Sequence, residues 1–182
     1  MDVPDRKRRD AAQTRQNLLD VARNRFARHG YAATTVRDIA DEAGVNVALI
    51  SRYFESKEGL FRACLTHAAS DVREEPTAAT PAEIAARLAQ RLSGPPGDRR
   101  QLDAFLLLIR SSGDERIDDL RRSILLGLSE KLGGDLLRAQ LVLAAAVGIS
   151  LLRAALDLEP LASATEDDLR KPLEDVIHAL MG

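Results

Sequence analysis

The sequence has one cysteine, Cys64, no tryptophan, and only 3% aromatic residues. A lone cysteine excludes an internal disulfide and any zinc site built on four thiolates. The three histidines, His29, His67 and His178, stand far apart and in no metal-ligand spacing. No cofactor or metal is expected. β-branched and aromatic residues, which sheets favour, are scarce, and this argues against an all-β fold. No apolar stretch lies near the N-terminus, so no secretory signal is expected. The longest uncharged apolar stretch, Ala139 to Leu152, has 14 residues, fewer than a bilayer span requires. Gly-x-Ser-x-Gly, His-Glu-x-x-His and the dinucleotide glycine fingerprint are all missing. The expectation is a cytoplasmic protein that neither spans a membrane nor acts as an enzyme.

What is present points to helices. The chain has 182 residues, of which 45% are hydrophobic and 30% charged, enough for a folded core. Alanine and leucine, both strong helix formers, contribute 28 residues each. The net charge of −2 is unevenly spread, since residues 1–60 carry 11 basic and 9 acidic side chains. Between residues 6 and 28, eight basic side chains face only Asp10 and Asp20. A polyanionic partner would therefore meet the N-terminal third.

The periodicity and capping residues predict an all-α fold of nine helices. Residues 1–10, rich in charge and without apolar periodicity, read as a mobile basic arm. Leu18, Leu19, Ala22, Phe26 and Ala27 define a first helix over 11–29, stopped by Gly30. Thr35 and Asp38 form a capping-box pattern for a helix over 36–43. Asn46 caps one over 47–53, and Ser56 opens another over 57–73. The run Thr80-Pro81-Ala82-Glu83 starts a fifth, which ends at Ser93-Gly94. Further helices are expected over 98–112, 114–131, 135–158 and, capped by Thr165 and Asp168, 166–180. Pro172 should kink or loosen the last.

Residues 35–54 carry the sharpest motif. Two short helices that cross through a tight turn need a small residue at the contact, and Ala40 supplies it. Gly44, four positions later, suits a turn needing positive φ. Ile50, six beyond Gly44, anchors the second helix, while Ile39, Ala43 and Val45 complete the buried face. The pattern reads as a helix-turn-helix, the alternative being an ordinary helical hairpin in a core, and its second helix would lie in the major groove. Asn46, Val47, Ala48, Ser51 and Arg52 would face outward. Asn46 and Arg52 can hydrogen-bond to bases or phosphates, and Val47 and Ala48 can pack on a thymine methyl. Thr35 sits at a helix N-terminus that suits a phosphate. Lys57 sits at another, with Tyr53 nearby in sequence.

From about Thr14 to Leu65 the chain resembles the TetR family of bacterial transcriptional regulators. The stretches FARHGYAATTVRDIADEAGV and ALISRYFESKEGLF carry the likeness. The resemblance implies an all-helical homodimer, each subunit with a DNA-binding head over 11–72 and a C-terminal ligand-binding and dimerisation domain over 73–182. It implies phosphate contacts by Thr35, Tyr53 and Lys57 and groove contacts by Asn46, Val47, Ala48, Ser51 and Arg52. Many members have Tyr at the position of Ser51 and His at that of Arg52, so base reading there departs from the family pattern. Members mostly repress, and a small molecule releases them from an operator of double-stranded DNA.

The helix over 135–158 is apolar almost all round, so it must be covered on every face. Together with the stripe Leu173, Val176, Ile177 and Leu180 it predicts a dimer interface, or alternatively a monomeric core. In the family the final two helices form that interface. A pocket between the central helices would be lined by polar residues within apolar blocks. Cys64, His67, Arg110, Ser111, Ser150 and Arg153 are the candidates. Each has a structural alternative: the arginines as surface or ion-paired groups, Ser150 bonded to its own helix, Cys64 as a small buried hydrophobe. Two other functions stay open, a helical adaptor that keeps the helix-turn-helix as scaffold and a DNA-binding activator without a ligand.

Overall fold

A computed structural model describes residues 3–71, 80–93, 100–110 and 112–181. Among them are nine helices and no strand. They are α1 (Val3–Ala33), α2 (Val36–Glu42), α3 (Ala48–Phe54), α4 (Lys57–Asp71), α5 (Pro81–Leu92), α6 (Arg100–Ile109), α7 (Glu115–Leu132), α8 (Leu136–Ala154) and α9 (Glu166–Met181).

The helix starts follow the caps. Thr35 Oγ1 accepts from the Asp38 N–H at 3.1 Å, and Asp38 accepts in return from the Thr35 N–H at 3.0 Å. Thr80 with Glu83 and Thr165 with Asp168 repeat this box at α5 and α9. Ser56 Oγ accepts from the Gly59 N–H at 3.0 Å and opens α4. Pro172 lies inside α9, which continues through it. One expectation changes at the N-terminus. The first helix begins at Val3, so most of the stretch read as an arm is backbone of α1. Charge density alone does not forbid a helix once its downstream turns are nucleated. Gly30 does break the helical path, with φ 83° and ψ 170°.

Packing forms two cores. The larger holds Leu18, Phe26, Ile39, Ile50 and Phe61 of the first four helices together with Leu107, Leu108 and Ile117 of α6 and α7. The smaller joins Ile84 and Ala89 of α5, Val142 of α8, and Leu169, Leu173 and Ile177 of α9. The helices that carry the helix-turn-helix thus share a core with α6 and α7 from beyond residue 72.

The reading of the Ala139–Leu152 run as too short for a membrane is also corrected. The helix around it extends into both arginine-bearing ends and has 19 residues. By length and composition it could cross a membrane, and 22% of its most apolar window is buried inside the chain. Its outward side carries Leu137, Leu141 and Leu151.

Candidate nucleic-acid interface

The exposed face of α3 comes from its amphipathic spacing. Ile50 and Phe54 are buried, which turns Val47, Ala48, Ser51 and Arg52 outward. Val47, an aliphatic residue, is 42% exposed. The turn before α3 takes Gly44 through φ 67°. Asn46 is exposed, but its Oδ1 accepts from the Ala48 N–H at 2.8 Å. The side chain thus closes a turn onto the first residue of α3, and its amide nitrogen remains able to donate to a base.

Thr35 is exposed at the α2 N-terminus, with its hydroxyl shared with Asp38. That hydroxyl and the Thr35 N–H hold the Asp38 carboxyl below the usual carboxylate range. The Arg52 guanidinium lies 6.0 Å from the ring centroid of half-buried Tyr53. Lys57 is half-buried, its Nζ 4.3 Å from the Tyr31 ring centroid. Burial holds its ammonium below the ordinary lysine range.

The helix pair is braced from α1. Arg25 Nη1 lies 2.6 Å from Glu42 Oε2, and its Nη2 3.9 Å from Asp38 Oδ2. Asn17 Nδ2 donates to the Ala43 carbonyl at 3.0 Å, anchoring the turn between α2 and α3. Two cations were missed in the sequence reading. Arg37 is exposed in the first turn of α2, two residues after the cap, and that offset from Thr35 was the available signal. Arg15 is exposed on α1 with its guanidinium 4.9 Å from the Phe54 ring, a contact that depends on tertiary packing.

Five of the six residues suggested for a ligand pocket lie among the described residues. Cys64 is fully buried, its Sγ 3.9 Å from the Leu19 carbonyl, and burial pushes its thiol up. This is the environment of a packing residue. His67 Nδ1 lies 2.9 Å from Arg23 Nη1 and joins α4 to α1. Arg110 hydrogen-bonds to backbone carbonyls of Ala27 and Arg28, on α1. Arg153 donates to the Leu161 carbonyl. Both arginines are occupied in fastening backbone, a use that sequence spacing does not reveal. Ser111 lies outside the described residues. Ser150 alone keeps the character sought, buried on α8 with a hydroxyl that has no hydrogen-bond partner among the described residues. No group of three or more His, Cys, Asp or Glu residues among those described could hold a metal ion.

Comparison with known proteins matches residues 18–64 to "Bacterial regulatory proteins, tetR family". Residues 98–181 match "Tetracyclin repressor-like, C-terminal domain". A probable acrEF/envCD operon repressor of Escherichia coli strain K12 is 45% identical over 56 residues, 31% of this chain and 26% of that protein. The HTH-type transcriptional repressor KstR2 of Rhodococcus jostii strain RHA1 is 50% identical over 46 residues, 25% of this chain and 22% of the relative. The chain thus aligns with about a quarter of the length of these relatives. Over the whole fold it is similar to the multidrug binding protein EbrR in its crystal structure with imidazole. That likeness has a TM-score of 0.62 and 20% identity and covers 92% of this chain and 94% of the other.

Proposed function

The chain belongs to the tetR family of bacterial regulatory proteins, and on that premise we propose that it is a transcriptional regulator binding double-stranded DNA as a homodimer. The observation that carries the reading is the outward face of α3, with Val47, Ala48, Ser51 and Arg52 exposed over a buried Ile50 and Phe54. This is the arrangement a major-groove helix needs: side chains at base edges on one side, a rigid core behind. Thr35, Tyr53 and Lys57 hold the phosphates on either side. Asn46 contributes its amide nitrogen, its oxygen accepting from the Ala48 N–H. Exposed Arg15 and Arg37 add charge that fixes register rather than sequence.

The dimer forms through α8 and α9. Leu137 (64% exposed), Leu141 (46%) and Val176 (47%) lie on these helices, and a second copy would cover them. Joining two heads by a two-fold axis calls for a palindromic operator. Repression is the favoured sign of regulation, supported by the repressor names of two relatives. A small-molecule effector in the C-terminal half would release the DNA. The multidrug-binding name of a fold neighbour supports that reading, and among the described residues the buried, unpartnered hydroxyl of Ser150 is a candidate to meet a polar atom of such a molecule. The site of action is the cytoplasm.

The test is duplex DNA binding titrated at stepped salt. The logarithm of the affinity should fall linearly with the logarithm of salt concentration, as counterion release requires. Absence of binding at low salt would put the adaptor reading in its place.

A further inference from the structure

Arg110 follows α6 in the C-terminal half of the chain, yet its guanidinium hydrogen-bonds to α1. Its Nη1 donates to the Ala27 carbonyl at 3.2 Å and to the Arg28 carbonyl at 2.8 Å. These carbonyls stand at the last regular turn before the break at Gly30. Carbonyls at a helix end lack intrahelical donors and carry the negative end of the dipole, so a guanidinium meets both needs. The same group lies against the break itself: a Cβ placed on Gly30 would sit 3.5 Å from Arg110 Nε and 3.6 Å from its Cζ.

The residue after the break is Tyr31. Its ring stacks on Phe26, with centroids 5.9 Å apart, and meets Phe61 edge-on at 4.9 Å. Lys57 Nζ rests over that ring at 4.3 Å. At the far end of the turn the buried Thr34 hydroxyl donates to the Gly30 carbonyl at 2.8 Å, beside the cap residue Thr35. A second guanidinium braces the cluster from α7. Arg121 lies 5.0 Å from the Phe61 ring centroid, held by Asp118 at 2.6 Å and by the Leu107 carbonyl at 2.9 Å. Arg110 is thus hydrogen-bonded to α1 just before the break, the backbone of residues 28–31 leads on to Tyr31, and the Tyr31 ring meets Lys57.

We propose that Arg110 is a positioning residue for DNA binding. By holding the carbonyls just before the break in α1 it fixes Tyr31, and with it Lys57, where that ammonium meets a phosphate. It touches no DNA itself. The inference rests on the DNA-binding reading above.

The experiment measures affinity for a duplex recovered from a random pool by the wild-type protein. The variants are Arg110→Met, Arg110→Lys, Lys57→Ala, and each Arg110 variant combined with Lys57→Ala. Arg110→Met is expected to bind about tenfold more weakly, and the Met double variant to bind within about twofold of Lys57→Ala alone. Arg110→Lys, which keeps charge and donors, should recover most of the loss. Binding by Arg110→Met within about twofold of wild type overturns the proposal, as do losses that multiply in the double variant. If the Met variant does not fold, the Lys variant and its own cycle with Lys57→Ala decide by the same non-additivity. Recovery of no duplex by the wild type is a different failure, that of the regulatory reading itself.

Discussion

A Cβ built on Gly59 would lie 2.0 Å from the carbonyl oxygen of Phe54. The start of α4 is thereby pressed against the end of α3, and only a residue without a side chain permits the approach. The obstacle is backbone, which cannot swing aside. Gly59→Ala is expected to cost about 1–3 kcal/mol, as overpacking does, and to move α3 relative to α4. Thermal denaturation together with duplex binding checks this. An unchanged melting temperature would mean that the junction yields freely.

Glu55 lies within the same junction and has φ 68° and ψ −46°, a conformation strained for a residue with a Cβ. Glu55→Gly relieves that strain but adds entropy to the unfolded chain. The net expectation is stabilisation of about 1 kcal/mol, read from the urea midpoint. A loss of stability would contradict it.

Three capping carboxyls, Asp38, Glu83 and Asp168, are held below their ordinary range chiefly by hydrogen bonds from Thr35, Thr80 and Thr165. A carboxyl whose folded value is depressed contributes stability above its unfolded value, about pH 4, and loses it as pH falls through the folded one. Asp38→Asn should therefore be less stable than wild type at pH 7, and the gap should close as the pH drops below about 4. Urea midpoints at pH 7, 4 and 3 test this, and a constant gap would show that charge plays no part in the cap.

How much of this was readable beforehand varies with the range of the interaction. Helix starts were legible because a Thr and an acid three residues later are local, as at Thr35, Thr80 and Thr165. Gly30 and Gly44 were legible as breaks for the same reason. The face of α3 followed from the spacing of Ile50 and Phe54. Partners distant in sequence were not legible. Arg110 reaches Ala27, 83 positions away, and Arg153 turns to Leu161, so neither could be told from a pocket residue. Nothing in the sequence around Gly59 signals its approach to the Phe54 carbonyl.

The exposed leucines of α8 are expected to hold two copies together. Leu137→Glu combined with Leu141→Glu places charges on that surface and should shift the protein to monomer in sedimentation. The head should stay folded, since both side chains lie outside either core. Duplex affinity should fall with it, because a lone head contacts one half-site. A wild-type monomer that needs detergent for solubility would instead assign α8 to a membrane.

Lys57→Ala should weaken binding alike across DNA sequences and reduce the salt slope by about one. An unchanged slope removes Lys57 from the phosphate contacts. Arg52→Ala, if its guanidinium reads a base, should cost about 1–3 kcal/mol and relax preference at one position. Unaltered affinity and preference would mean that α3 does not face the groove.

The most direct test of the account is selection of bound duplexes from a random pool by the purified chain at moderate salt. The expected result is a two-fold symmetric motif whose half-sites lie about one helical turn, or a multiple of it, apart. Recovery of no motif, with no duplex binding at low salt, would contradict the account and leave the helix-turn-helix as scaffold.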